Sequence, residues 1–216
     1  MFFIEGAKIT ILLAIITIIF GVIFGILFAL MRISHNPILK GISATYIEFI
    51  RGTPIMVQLF IVYYGLSKAG INFPEFPVLG SNFSDLMAGA TALSINSAAY
   101  VAEIVRAGIQ AVEKGQMEAA RSLGLTYSMS MKNIILPQAI KNILPALGNE
   151  FIAIIKESSI VSIIGIHELM YNTDTVRGNT FIPFEPLIVT AIIYFIITFS
   201  LSTVVRSFER RLKTSD

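Results

Sequence analysis

Glu118-Ala119-Ala120-Arg121-Ser122-Leu123-Gly124, followed ten residues later by Ile134-Ile135-Leu136-Pro137, is a polar island in an otherwise strongly apolar chain. A charged stretch flanked by apolar runs has to face water, because hydrocarbon gives its polar groups no partners. Its surroundings set the class. The 216 residues are 55% hydrophobic and 14% charged, where a soluble domain carries about 25% charged residues. Mean hydropathy is +0.76. Cysteine is absent, which excludes disulfides and thiolate metal sites. A net charge of +2 is too small to argue for nucleic-acid binding. His35 and His167 stand apart outside the apolar runs, so no metal site is expected, and the Phe and Met residues read as lipid-facing or core packing. Together these features predict an all-α integral membrane protein, a single domain over 1–216.

The apolar runs predict five transmembrane helices. Residues 9–31 hold 23 positions without a charge, about 35 Å of helix against a hydrocarbon core of about 30 Å. That run is too long for the core of a signal peptide, and no cationic segment precedes it. Residues 53–66 are apolar over only 14 positions. They reach across only if 44–51 continues the helix, with Pro54 kinking it or marking its true start. The third span covers 86–112 and carries Asn96, Tyr100 and Glu103. The fourth runs from about Pro137 to 155 and is followed by a short re-entrant or interfacial segment near 159–166. The last occupies 186–205. Gly21 and Gly25 on the first span leave room for a close helix contact. Five spans put the termini on opposite sides. With the amino terminus outside, the inner loops and tail hold all of the 16 Lys and Arg except Lys8, Lys68, Lys156 and Arg177. The positive-inside rule therefore places the carboxyl terminus and the polar island in the cytoplasm.

Within the island, 116–123 and 126–132 have good helix composition, and Gly124 stands between them. Glycine readily takes the positive φ that ends a helix. Ala119 and Ala120 give a surface that another backbone can approach. On composition alone this is either a helical hairpin joining spans three and four or a docking element.

The spacing favours docking. Glu-Ala-Ala, three residues, Gly, nine residues and Ile-x-Leu-Pro resembles the cytoplasmic coupling loop of ABC importer permeases. The likeness continues in Arg51-Gly52-Thr53-Pro54, in Ser94-Ile95-Asn96-Ser97-Ala98-Ala99-Tyr100, in Leu147-Gly148-Asn149-Glu150-Phe151 and in Lys156-Glu157-Ser158-Ser159. It covers roughly residues 40–160 and is similar to the permease subunit of type I ABC importers for polar amino acids. The resemblance implies a coupling helix pair at about 114–132, with Glu118, Ala119, Ala120, Arg121, Gly124 and Pro137 in contact with an ATPase. It implies two ATPase copies, a second permease copy in a homodimer, an extracytoplasmic amino acid binding protein, and a bacterial cytoplasmic membrane location. The chain carries no Gly-x-x-x-x-Gly-Lys-Ser/Thr phosphate loop, so ATP and Mg²⁺ belong to the partner and the chain itself is not an enzyme.

Intramembrane charges usually face a cavity or a partner. On the third span Asn96, Tyr100 and Glu103 recur at i, i+4 and i+7 and share a face. On the fourth, Asn149 and Lys156 share a face, with Glu150 one step round. One reading is an amino acid site between these spans. The other is that Glu103 pairs with Arg106 and Glu150 with a neighbouring helix, both for packing. Two carboxylates per subunit favour a basic amino acid, such as arginine, lysine or histidine, over glutamine or another polar amino acid. An ion-coupled secondary transporter would also use intramembrane carboxylates, but no paired repeat with interrupted helices is visible. A purely structural membrane subunit needs neither acid.

Overall fold

The computed structural model describes residues 1–71 and 83–213, and among them every regular element is helical. The order is α1 (Phe2–Ile33), α2 (Pro37–Arg51), α3 (Ile55–Lys68), α4 (Phe83–Gln110), α5 (Lys114–Ser122), α6 (Tyr127–Ser130), α7 (Leu136–Glu157), α8 (Leu169–Thr180) and α9 (Glu185–Lys213). A π-helical turn (Met131–Ile135) leads from α6 into α7, and a 3₁₀ stretch (Ser158–Ile164) leaves α7.

Among the described residues, α1 and α9 are the two single helices long and apolar enough to cross a membrane by themselves. Lipid-accessible helices must be apolar all round, and both show it: Ile23, Phe24 and Leu27 on α1, and Ile192, Phe195 and Ile196 on α9, are exposed. The 28 residues of α4 are long enough to cross, and α4 is the central helix of the bundle. Ala98, Ala99, Val101 and Ala102 are at most 1% exposed, because α4 packs against α1, α2, α3 and α7. Its small side chains let four neighbours come close, which explains a composition less apolar than that of the peripheral helices.

Helices α1 and α4 approach closely at two glycines. A Cβ added at Gly21 would lie 2.6 Å from the Ser97 Oγ, and one at Gly25 would lie 2.5 Å from Val101 Cγ1. The expected glycine contact is thus made, and it lies within the chain.

The stretch 44–66 is not one continuous helix. Helix α2 begins at an Asn36 side chain that accepts from the Ile38 and Leu39 amides, with Pro37 in the first turn. It ends at Arg51. Pro54 has no N–H to donate and lies in an extended conformation (φ −64°, ψ 135°), so α3 starts afresh at Ile55. The two helices meet at 110°, so 44–51 does not run straight on into α3, and a crossing here is one broken at Pro54. Gln58, 5% exposed, staples the corner: its Nε2 donates to the Ile50 carbonyl (2.6 Å) and to Thr53 Oγ1 (2.8 Å).

The amide of Pro137 is also missing a proton, and the widened π turn comes immediately before it. There the Gln138 side-chain amide donates to the Ile134 carbonyl (3.0 Å). Pro145 lies inside α7 and leaves a second unpaired ladder position.

Candidate functional site

The polar island folds as its composition predicts. Helix α5 stops at Leu123, and Gly124 takes φ +85°. The Leu125 amide donates to the Ala120 carbonyl (3.2 Å) and the Gly124 amide to the Arg121 carbonyl (3.1 Å). This is the paired hydrogen-bond closure that a left-handed residue permits after a helix end. Thr126 then caps α6 by accepting from the Met129 amide (3.3 Å). Glu118, Ala119, Arg121, Gly124 and Pro137 are exposed, whereas Ala120 is only 2% exposed and packs inward. Of the two alanines, therefore, Ala119 alone is available to another chain. Leu123 was not anticipated: it is 84% exposed at the tip of the turn, with Tyr127 and Met129 also exposed beyond it. An apolar residue in a solvent-facing turn could have been read from the sequence as a contact point.

The six residues expected to gather between α4 and α7 divide into two groups. Asn96, 5% exposed, donates through Nδ2 to Gln58 Oε1 (2.8 Å) and so ties α4 to the corner of α2 and α3. Tyr100 lies beneath the Arg51 guanidinium, 5.5 Å from its ring centroid. Glu103 is bound by Arg106, which also donates to Gln110 (2.6 Å). Their common face is turned towards α2 and α3, and Glu103 is engaged in the ion pair that the packing reading requires.

Glu150 sits elsewhere. Its Oε1 accepts from the Ser97 hydroxyl (3.2 Å). Ser97 is 1% exposed and lies in the notch left by Gly21. Three helices therefore meet at one point: α1 supplies the gap, α4 the hydroxyl and α7 the half-buried carboxylate. Asn149 and Lys156 are exposed on α7 and do not join this junction. Ser97 is the group that sequence reasoning passed over. A serine one position beyond Asn96 falls on the neighbouring face of α4, and only the packing of α7 shows which face matters.

A second buried carboxylate, Glu168, was not singled out by sequence. It is fully buried at the start of α8. Its two oxygens accept from the Tyr171 amide (2.7 Å), the Met170 amide (2.9 Å), the Tyr194 hydroxyl (3.1 Å) and the Thr10 hydroxyl (3.4 Å). It thus joins α1, α8 and α9. Among the described residues, no group of three His, Asp or Glu side chains is placed to hold a metal ion.

Comparison with known proteins follows this geometry closely. Residues 21–214 match the family described as "Binding-protein-dependent transport system inner membrane component". The chain is 40% identical over 213 residues to the probable glutamine ABC transporter permease protein GlnM of Bacillus subtilis, covering 99% of this chain and 94% of the relative. It is 41% identical over 215 residues to the arginine transport system permease protein ArtQ of the same organism, covering 100% and 94%. In fold it matches a chain of "an amino acid ABC transporter with histidines" with a TM-score of 0.89 at 50% identity, covering 97% of this chain and 94% of that one. A chain of the inward-facing MetNI methionine ABC transporter shares the fold at a TM-score of 0.78 and 17% identity, covering 98% and 96%. The chain therefore belongs to the binding-protein-dependent transport system inner membrane components, as a permease of the ABC transporter kind.

Proposed function

We propose that this chain forms the membrane path of an ATP-driven importer for amino acids with a cationic side chain. It crosses the bacterial cytoplasmic membrane five times, amino terminus outside and carboxyl terminus inside. Two copies pair to enclose the path. Two copies of a separate ATPase, which holds the ATP and Mg²⁺, act on the segments at about 114–132, and an extracytoplasmic binding protein delivers the cargo. ATP binding draws the ATPases together and opens the path outward, and hydrolysis returns it to the inward-open state.

The drive reading is supported by the exposed, rigidly terminated turn around Gly124. Glu118, Ala119, Arg121 and Leu123 point away from the chain there, and Pro137 is exposed at the start of α7. The test is Gly124→Asp. A Cβ at this position meets nothing within 4 Å, but φ +85° strains any side-chain-bearing residue by about 1–2 kcal/mol. The variant is expected to assemble in the membrane yet lose uptake and cargo-stimulated ATP hydrolysis. Normal uptake by this variant would remove the docking reading.

The cargo reading rests on one observation: among the described residues Glu150 has a single side-chain donor, Ser97, and so keeps acceptor capacity for a cation. A second reading, glutamine or another uncharged polar amino acid, is favoured by the relatives, since the glutamine and arginine permeases are equally similar. Competition of all the common amino acids for uptake into vesicles carrying the whole complex separates the two.

A further inference from the structure

Along α4 the tract Ala98, Ala99, Val101 and Ala102 is almost fully buried, while Tyr100 within it is 37% exposed. Tyr100 therefore marks an opening, at an angle between the face that Asn96 gives to Gln58 and the face that Ser97 gives to Glu150. It lies three residues beyond Ser97, about 4.5 Å along the helix axis. The Arg51 guanidinium rests over its ring, 5.5 Å from the centroid. A cation–π contact of this kind gives the guanidinium no oxygen acceptor, so its N–H groups can still bind an anion. The Arg51 side chain is exposed and feels the charge of Glu103 through space, but among the described residues it makes no side-chain hydrogen bond or ion pair within 4.0 Å, whereas nearby Arg32 faces Glu48 at 4.0 Å and Arg106 holds Glu103 directly. Its position is also fixed from behind: it is the last residue of α2, and the Gln58 staple ties that helix end to Asn96 of α4.

We infer that Arg51, steadied on Tyr100, binds the α-carboxylate of the transported amino acid, while Glu150 is held one helical step away along α4, at Ser97. This deepens the proposed function and rests on its reading of an amino acid cargo. An amino acid carries a negative charge at one end, and in the cationic class a positive charge at the other. Arg51 and Glu150 present the complementary signs in the complementary order. Each exists without the other: the carboxylate contact serves any amino acid, and Glu150 serves the side chain.

The test is equilibrium binding to the purified permease–ATPase complex without the binding protein, which would impose its own selectivity. The probes are L-arginine and agmatine, which lacks the carboxylate, and L-glutamine with its own decarboxylated counterpart. The wild-type complex is expected to prefer whichever amino acid it binds over the decarboxylated partner by about tenfold or more, the effect of one charge-assisted contact. Arg51→Gln closes that gap by weakening the amino acid alone. Arg51→Lys, which keeps the charge and loses the planar fork, keeps part of it. A gap that persists in Arg51→Gln, an equal loss for both members of a pair, or no binding of either amino acid to the wild-type complex overturns the inference. Glu150→Gln separates it from the cationic reading: if that variant leaves arginine and agmatine binding unchanged while Arg51→Gln still closes the gap, the cationic reading fails and the carboxylate contact stands.

Discussion

Glu168 and Glu150 are both acidic residues packed among apolar helices, and their surroundings differ in kind. Glu168 is fully buried, and four donors from α1, α8 and α9 converge on its two oxygens. Glu150 is half-buried and has one donor, Ser97. A buried polar group with every valence filled holds a fold together, because removing any member leaves the others unpaired. A carboxylate with spare capacity beside an opening can take a partner that arrives later. On the proposed reading, number of partners separates scaffold from site, where residue type alone cannot.

The largest expected effect comes from the scaffold. In Glu168→Gln the amide NH₂ must face groups that are themselves donors, leaving at least one of them unsatisfied. We expect about 2–3 kcal/mol of lost stability, read as a lower unfolding midpoint and lower yield of the detergent-purified complex, with uptake per folded complex retained. A stable variant with poor uptake would place Glu168 in the path and erase the distinction. Gly21→Ala comes next. Its methyl would sit 2.6 Å from the Ser97 Oγ, so α1 and α4 must part or Ser97 must turn away, at about 1–3 kcal/mol for overpacking. Both stability and apparent KM for cargo are expected to worsen, and an unchanged KM would mean that Glu150 does not depend on Ser97. The smallest structural effect belongs to Glu150→Gln, whose amide oxygen still accepts from the Ser97 hydroxyl, so stability changes by less than about 1 kcal/mol. Its unfolding midpoint should stay near that of the wild type, while uptake of basic amino acids falls more than uptake of glutamine. Equal loss for both cargoes would remove the cationic assignment.

Much of this organisation is written in local pattern. The uncharged run of α1, the apolar tail helix α9, the break at Gly124 and the end of α7 before Ser158 all follow from composition and from one glycine. The corner between α2 and α3 was legible as a problem, through Pro54 and the shortness of 53–66, but its angle depends on a staple eight residues long in sequence, from Ile50 to Gln58. Helix α8 was missed because its residues, from Leu169 to Thr180, are nearly all polar after Tyr171 and form no apolar stripe, so its stability comes from its cap and from α1 and α9. Glu168 meets Thr10 across 158 positions of chain, and no periodicity reports that. For the same reason the repeat of Asn96, Tyr100 and Glu103 identified a helix face correctly yet not the neighbour it meets.

From Tyr127 to Glu157 the backbone is helical without interruption, through α6, the π turn and α7. It is a rod of roughly 45 Å, with the solvent-exposed turn at one end and Glu150 two turns from the other. On the proposed drive reading, a push delivered near Thr126 would travel along this backbone rather than through a side-chain relay. The rod has two soft joints, the widened turn ahead of Pro137 and the missing bond at Pro145. Stiffening the first joint would transmit more of the stroke to the carboxylate, and loosening it further would absorb the stroke as bending.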